Sequence, residues 1–533
     1  MTSYDIRLTA NYNHTFNKAH IVNVFGGMEA NSIERNQTWF NGAGFQYTKG
    51  ELASYVYQFF KKGLEEGDSY YGLSNSSYRS AAFFGNATYS YKGKYNVNGT
   101  IRYEGTNQFG QSSNAKWLPT WNISGSWNVH EEDFFSSLRS VLSHLTLKAS
   151  YSLTADRGPA DITNSSHILR AYNVYRPFTS DKETGTKAVD FANRDLTYEK
   201  KHEFNFGVDA GFLNNRISVT FDIYQRNNYD LIGAKITEAQ GRGSIIEYTN
   251  IASMKSHGEE LSITTKNIQT KDFSWTTNLI YSHAVNEVTD LMTQASTMDY
   301  IQGTGFAKKG YPVRALFSIP FKGLDEDGYP TFLNEKGQVT STDINFQERI
   351  NNGYLKYEGP TDPTYTGSLG NVFGYKGFHL NIFMTYSFGN VVRLDPVFSA
   401  QYNDLSSMTK EFKNRYRLGG DEKYTDVPTI LTYRQYHDNT QLQLGYNAYN
   451  YSDIRVAKGD FIRMKEISLS YDFPAAWFTH TALKNLSLKL QGTDLFLIYA
   501  DKKLNGQDPE FFRAGGVSAP LPRQFTLTVK AGF

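Results

Sequence analysis

Hydrophobic and polar residues alternate along most of this chain. In "LPRQFTLTVKAGF", residues 521–533, Phe525, Leu527, Val529, Ala531 and Phe533 take the odd positions, and Thr526, Thr528, Lys530 and Gly532 the even ones. A period of two predicts a strand with one apolar and one polar face. The same pattern recurs in "YDIRLTANYNHTF", "HIVNVFGGMEA", "SAAFFGNATYSY", "YNVNGTIRYEG", "WLPTWNISGSWNV" and "LTLKASYSL". It continues through "HEFNFGVDAGF", "ISVTFDIYQR", "GEELSITTK", "FSWTTNLIYSH", "YTGSLGNVFGY" and "FHLNIFMTYSF", and ends with "DFIRMKEISLSYDFP", "LSLKLQGTDLFLIYA" and the terminal stretch. The pattern predicts about fifteen strands.

The links between these strands fall into two alternating classes. Residues 15–19, 92–94, 213–215, 268–272 and 376–377 are short, and 130–144 and 473–483 somewhat longer. "HEEDFFSSLRSVLSH" suits about two helical turns. Residues 31–79, 105–116, 154–200, 227–256, 285–363, 389–458 and 500–521 are long and polar. Short turns at one rim and long loops at the other are the pattern of an outer-membrane β-barrel. Aromatic residues at strand ends (Tyr89, Tyr91, Trp117, Tyr281, Tyr375, Tyr471) fit the two girdles of such a barrel. Asn122, Ser124 and Ser126, with Thr526 and Thr528, are then expected to face the lumen. Trp121, Ile123 and Trp127, with Phe525, Leu527 and Val529, are expected to face outward. The alternative is a soluble or surface all-β module for carbohydrate binding or adhesion, in which the apolar face is a buried core and the polar face meets water.

Composition changes this picture little. Tyr (38), Phe (37) and Trp (6) bring aromatics to 15%, while Pro is 14. That mixture suits long antiparallel sheets. A formal charge of +1 without a basic tract leaves no electrostatic footprint for nucleic acid. With no Cys, disulfide scaffolds and thiolate metal sites are excluded. No run approaches the ~18 apolar residues of a membrane helix, which says nothing against membrane strands. "MTSYDIRLTANYN" shows no basic or apolar signal-peptide region.

Several stretches resemble the SusC/RagA family of TonB-dependent outer-membrane transporters. "AAFFGNATYSYKGKYNVNGTIRYEGTNQFG" is similar to a family hairpin and loop, and "WLPTWNISGSWNVHEEDFF" to the strand and link that follow. "LTLKASYSLTAD" departs from the family wording at Ser152 and Asp156 without changing its period. "GDFIRMKEISLSYDFP", "LKLQGTDLFLIYA", "NGQDPE" and "PLPRQFTLTVKAGF" resemble its C-terminal run. The resemblance covers essentially the whole chain. It implies short turns in the periplasm, long loops outside, and a barrel of about twenty-two strands. Residues 1–533 are therefore expected to be the C-terminal portion of one barrel domain, with no plug or signal peptide and with first and last strands unpaired. The resemblance further implies a SusD-like lipoprotein lid, outer-membrane lipid around the wall, a TonB complex acting through a plug, and a glycan or peptide substrate.

No H-E-x-x-H, G-x-S-x-G, Walker or dinucleotide motif occurs, so neither an enzyme nor a cofactor is expected. His257, Glu259 and Glu260 read as charged rim residues before metal ligands, and Asp325 and Asp327 as a turn before a calcium loop. The ligand-binding candidates are loop residues of "TYRQYHDNTQLQLGYNAYNYSD": Tyr433, Arg434, Tyr436, His437, Asp438, Tyr446, Tyr449 and Tyr451. Aromatic faces among short polar groups suit sugars or peptides; equally, such tyrosines can pack on one another. "YVYQFF", 55–60, is a second candidate, for partner contact.

Overall fold

The computed structural model describes the chain except residues 42–44, 47–49, 51, 54–55, 67–70, 111, 159–167, 176–181, 191–192, 239–243, 398–409, 480–481 and 512–521. Fifteen strands, each paired with the next along the chain, form one antiparallel sheet. They are β1 Thr2–Phe16, β2 His20–Phe40, β3 Tyr71–Tyr91, β4 Tyr95–Thr106 and β5 Trp117–Asn128. Next come β6 Leu142–Asp156, β7 Glu199–Phe212, β8 Ile217–Glu238, β9 Ser244–Gln269 and β10 Phe273–Leu291. The last five are β11 Tyr365–Tyr375, β12 Phe378–Phe388, β13 Phe461–Asp472, β14 Asn485–Ala500 and β15 Gln524–Gly532. Number and identity match the alternating segments one for one. At the short-turn rim, Lys92 and Gly93 (φ 53° and 70°) reverse the chain, and Lys376 and Gly377 (φ 45° and 90°) do so again. Two left-handed residues give the turn the twist of its strands. The link after β5 forms two short 3₁₀ turns, Val129–Glu131 and Asp133–Leu138.

Strand lengths depart from expectation. The polar link expected at 227–256 is mostly ladder, since β8 runs to Glu238 and β9 starts at Ser244. Lys235 pairs Glu247 there, beyond the end of the alternating stretches. Backbone pairing needs no apolar face once a strand rises into water, so side-chain alternation ends before the hydrogen-bond ladder does.

The pairing register settles which face is which. One cross-strand row reads Tyr95, Trp127, Leu147, Val208, Phe221, Leu261, Tyr281 across seven strands. The adjacent row reads Asn96, Ser126, Lys148, Gly207, Asp222, Glu260, Ser282. Further on, Trp275, Phe373, Leu380, Leu469, Leu490 and Leu527 stand beside Ser274, Gly374, His379, Ser470, Lys489 and Thr528. The apolar rows are uncovered: Leu490 is 56% exposed, and Ile101, Ile123, Phe204 and Leu469 are also exposed. Trp121 and Trp127 are half-buried against rings of the same face, Tyr151 at 5.4 Å and Tyr95 at 6.2 Å. A soluble sandwich would bury this face; a barrel wall gives it to lipid. On β4, Tyr95 and Tyr103 bracket the apolar stripe, roughly 26 Å apart at ~3.3 Å per residue. The sheet does not close, because β1 and β15 are its two end strands and do not pair with each other.

The two largest links, 292–364 and 389–460, are not open loops. Together they build a folded module on the long-loop rim. Tyr300, Ile301, Phe317, Ile319 and Phe332 from the first share one core with Val397, Phe412, Ala448 and Tyr449 from the second. Residues 501–511 join through Leu504, packed with Val392, Leu394 and Ala457. They are also tethered to the sheet: the buried Arg463 of β13 donates from one nitrogen to both Asp508 oxygens at 2.6 Å and lies 2.9 Å from Glu510. "GDFIRMKEISLSY" and "NGQDPE" thus meet through one ion-pair cluster.

Candidate functional site

The segment singled out in the sequence folds as two helices, Tyr433–Asp438 and Thr440–Asn450. Thr432 caps the first, accepting from the Gln435 backbone while the Gln435 side chain accepts from the Thr432 amide. The Gln435 amide donates to Tyr329 Oη at 2.8 Å, pinning the helix to the module. Asn439 caps the second helix through the Leu442 amide at 3.0 Å.

This arrangement splits the eight candidates. Tyr433 is 79% exposed, its ring 4.2 Å from that of His437, and Arg434 and Asp438 form only a loose, exposed pair. Those four make a surface patch. Tyr436 is half-buried against the Leu431, Leu442 and Tyr446 cluster. Tyr446 is fully buried, its hydroxyl donating to the Thr429 carbonyl at 2.9 Å, and Tyr449 is 1% exposed. Burial pushes both phenol pKa values up. Tyr451 is partly buried against the large core. Tyr446 and Tyr449 are thus reassigned from loop surface to interior. The reason is helical spacing: Leu442, Tyr446 and Tyr449 fall at i, i+4 and i+7, one face of the helix. That signal was present in the sequence but is masked by reading the stretch as a loop.

The other candidates separate by geometry. His257 and Glu259 share one face of β9, while Glu260 points to the other, so the three do not converge. Asp325 accepts from the Asp327 and Tyr329 amides at 3.1 and 2.7 Å, an ordinary turn. In the aromatic stretch 55–60, Tyr55 lies outside the described residues; Tyr57, exposed, opens a helix Tyr57–Glu65.

Two recesses accompany these elements. The larger, about 800 Å³, lies in the module. Its wall includes Leu394, Ile454 and the buried Tyr449; its cations are Arg415, Arg417, Arg455 and Lys503, and its carboxylates Glu411, Asp421 and Asp426. The sequence reading missed these cations because they are scattered over some ninety residues. The smaller recess, about 400 Å³, lies at the long-loop end of β4–β6, beside Arg102, Glu104, Arg157 and the buried Tyr198. There the polar face carries a relay of charge: Arg7 beside Glu29 (3.8 Å), Glu29 bonded to Arg102, and Arg102 to Glu104 (2.7 Å). The Phe109 ring of "GTNQFG" packs tilted against that of Tyr198, centroids 4.2 Å apart. Gly110 passes so close to Arg194 that a Cβ would meet its carbonyl at 2.0 Å. This loop clasps residues 193–198 over the rim.

Comparison with known proteins places this architecture. The family model for the TonB-dependent receptor-like β-barrel matches residues 2–394. TonB-dependent receptor P3 of Formosa agariphila is 25% identical over 518 residues, covering 94% of this chain and 48% of that protein. The TonB-dependent receptor SusC of Bacteroides thetaiotaomicron is 27% identical over 508 residues, covering 88% and 46%. Among solved structures, the RagAB peptide transporter superposes with a TM-score of 0.75 at 21% identity, over 100% of this chain and 55% of that one. The chain spans about half the length of the curated relatives it matches.

Proposed function

Because this chain belongs to the TonB-dependent receptor-like β-barrel family, with SusC and RagAB likenesses supporting its SusC/RagA branch, we propose that residues 1–533 form the wall and extracellular face of an outer-membrane nutrient importer. In this reading the residues make one barrel domain that holds and passes a glycan or peptide and performs no bond chemistry. The surface patch of Tyr433, Arg434, His437 and Asp438 would meet ligand or a SusD-like lipoprotein lid. Energy would reach the whole protein from a TonB complex acting on a plug.

The observation that supports this most is the side-by-side rows of the sheet. Leu469, Leu490 and Leu527 lie next to Ser470, Lys489 and Thr528, strand after strand. The apolar row is exposed rather than packed under a second layer, which supports a wall between lipid and a wet lumen. The chain has no Cys, so a single introduced thiol reports its own surroundings. Leu490→Cys is expected to resist a membrane-impermeant maleimide in intact cells and to react with a lipid-soluble one. Lys489→Cys is expected to take the impermeant reagent through the lumen. Equal labelling of both positions by the impermeant reagent would reject the wall.

A further inference from the structure

The cavity in the extracellular module carries more positive charge than its own carboxylates use. Arg455, 5% exposed, is bonded to Glu411 and donates to the Asp395 carbonyl at 2.7 Å, which leaves its Nε buried without a partner at the cavity wall. Asp421 is committed to the turn, accepting from the Arg417 and Leu418 amides at 3.0 and 3.1 Å. The remaining three cations donate to backbone carbonyls, and Arg415 also lies over the Phe412 ring at 5.1 Å. Arg415 donates to Phe412 at 3.4 Å, Arg417 to Lys413 at 3.0 Å and Lys503 to Val456 at 3.2 Å. None of the three has a carboxylate within 4.0 Å among the described residues. Against them stands one uncommitted carboxylate, Asp426.

A guanidinium offers five N–H donors in a fixed fork, so one carbonyl leaves most of that capacity unused. Two such forks and an ammonium around one recess make a preorganised receptor for carboxylate or sulfate oxygens, which guanidinium binds two at a time. At about 800 Å³ the recess has room for several sugar units. Tyr424, 89% exposed, offers a free ring face to a pyranose at its edge, next to Thr425 and near Asn414. A peptide main chain would instead be expected to seek a free strand edge to pair with. The residues around the cations come from 3₁₀ turns, Lys410–Asn414 and Asp421–Lys423, and the coil between them.

We propose that this cavity binds an acidic oligosaccharide, its carboxylate or sulfate groups on Arg415, Arg417 and Lys503 and a sugar face on Tyr424. The proposal rests on the importer reading and names the substrate class that this part of the extracellular face selects.

The test is titration calorimetry on the full chain in nanodiscs with three probes: a tetragalacturonate, the neutral maltotetraose and tetraglutamate. The uronate is expected to bind at least about ten-fold tighter than either other probe, and to weaken with added salt. Arg415→Gln with Arg417→Gln is expected to lose about ten-fold or more, while Lys309→Gln on the outer surface leaves binding unchanged. Asp426→Asn is expected to tighten binding, a gain that misfolding cannot produce. Maltotetraose or tetraglutamate binding as tightly, no response to the Arg pair, or no uronate binding up to about 1 mM would overturn the proposal. Each of those results leaves the thiol-labelling test of the wall untouched, so the two readings fail separately.

Discussion

Leu490 in the sheet and Phe317 in the module are both large apolar residues in strands, yet one is 56% exposed and the other 1%. Around Leu490 the neighbours are Leu469 and Leu527, also exposed, and no second layer of protein covers them. Around Phe317 the rings of Tyr300 and Tyr311 stand at 5.4 and 5.0 Å, edge-on. The sheet is built for a solvent that rewards apolar surface, the module for one that expels it. One chain therefore carries two stability rules, and the change of rule falls at the long-loop rim.

The contrast can be broken most strongly in the module. Phe317→Ala removes a fully buried ring and should cost about 3–5 kcal/mol of module stability. Proteolysis in the links 292–364 and 389–460 should rise, while the sheet stays folded by heat-modified gel mobility. In the sheet, Leu490→Arg should cost about 2–4 kcal/mol in a lipid folding titration if it lies near mid-membrane, and Lys489→Leu close to nothing. A penalty of the same size for both would show that the two faces share one environment.

Smaller effects sharpen the split within the former loop candidates. Tyr446→Phe strands the Thr429 carbonyl and should cost about 1 kcal/mol of module stability, whereas Tyr433→Phe should be silent. Thermal proteolysis midpoints would separate the two.

The mildest effect concerns the short-turn rim. Glu132 accepts from Tyr95 Oη at 2.5 Å, Lys94 Nζ at 2.9 Å and Trp127 Nε1 at 3.2 Å. The Tyr95 hydrogen bond first, then that from Lys94, holds its pKa at about 2, below the ordinary 4.5. A depressed carboxylate stabilises above its ordinary pKa and loses that contribution as pH falls through the folded value. The protection of amides in the link 129–141, taken relative to intrinsic exchange at each pH, should therefore fall between pH 4.5 and about 2, and Glu132→Gln should show no such fall.

Much of the wall was legible from residue order. Period two across β4, β5 and β13–β15 named the strands, and pairing in chain order followed from short turns such as "KGK" and "YKGF". Asn122, Ser124 and Ser126 share one face and Trp121, Ile123 and Trp127 the other for the same reason: in a pleated strand, neighbours cannot share a face. What escaped was how the long links fold against one another. The module core joins Ile301 to Tyr449, and the cavity joins Arg415 to Lys503. No local period announces either pairing.

The division follows from the range of the forces. Alternation, turn chemistry and the apolar stripe are properties of a few adjacent residues, and they were enough to specify a wall with one face for lipid and one for water. Whether Tyr446 binds a ligand or fills a core depends on what chain returns to cover it. That was decided only when the second large link folded against the first. Likewise, Arg415 and Arg417 are ordinary surface cations by sequence. They become a receptor because the module brings Lys503 to the same recess while two of its three carboxylates, Glu411 and Asp421, are already committed to Arg455 and to a turn.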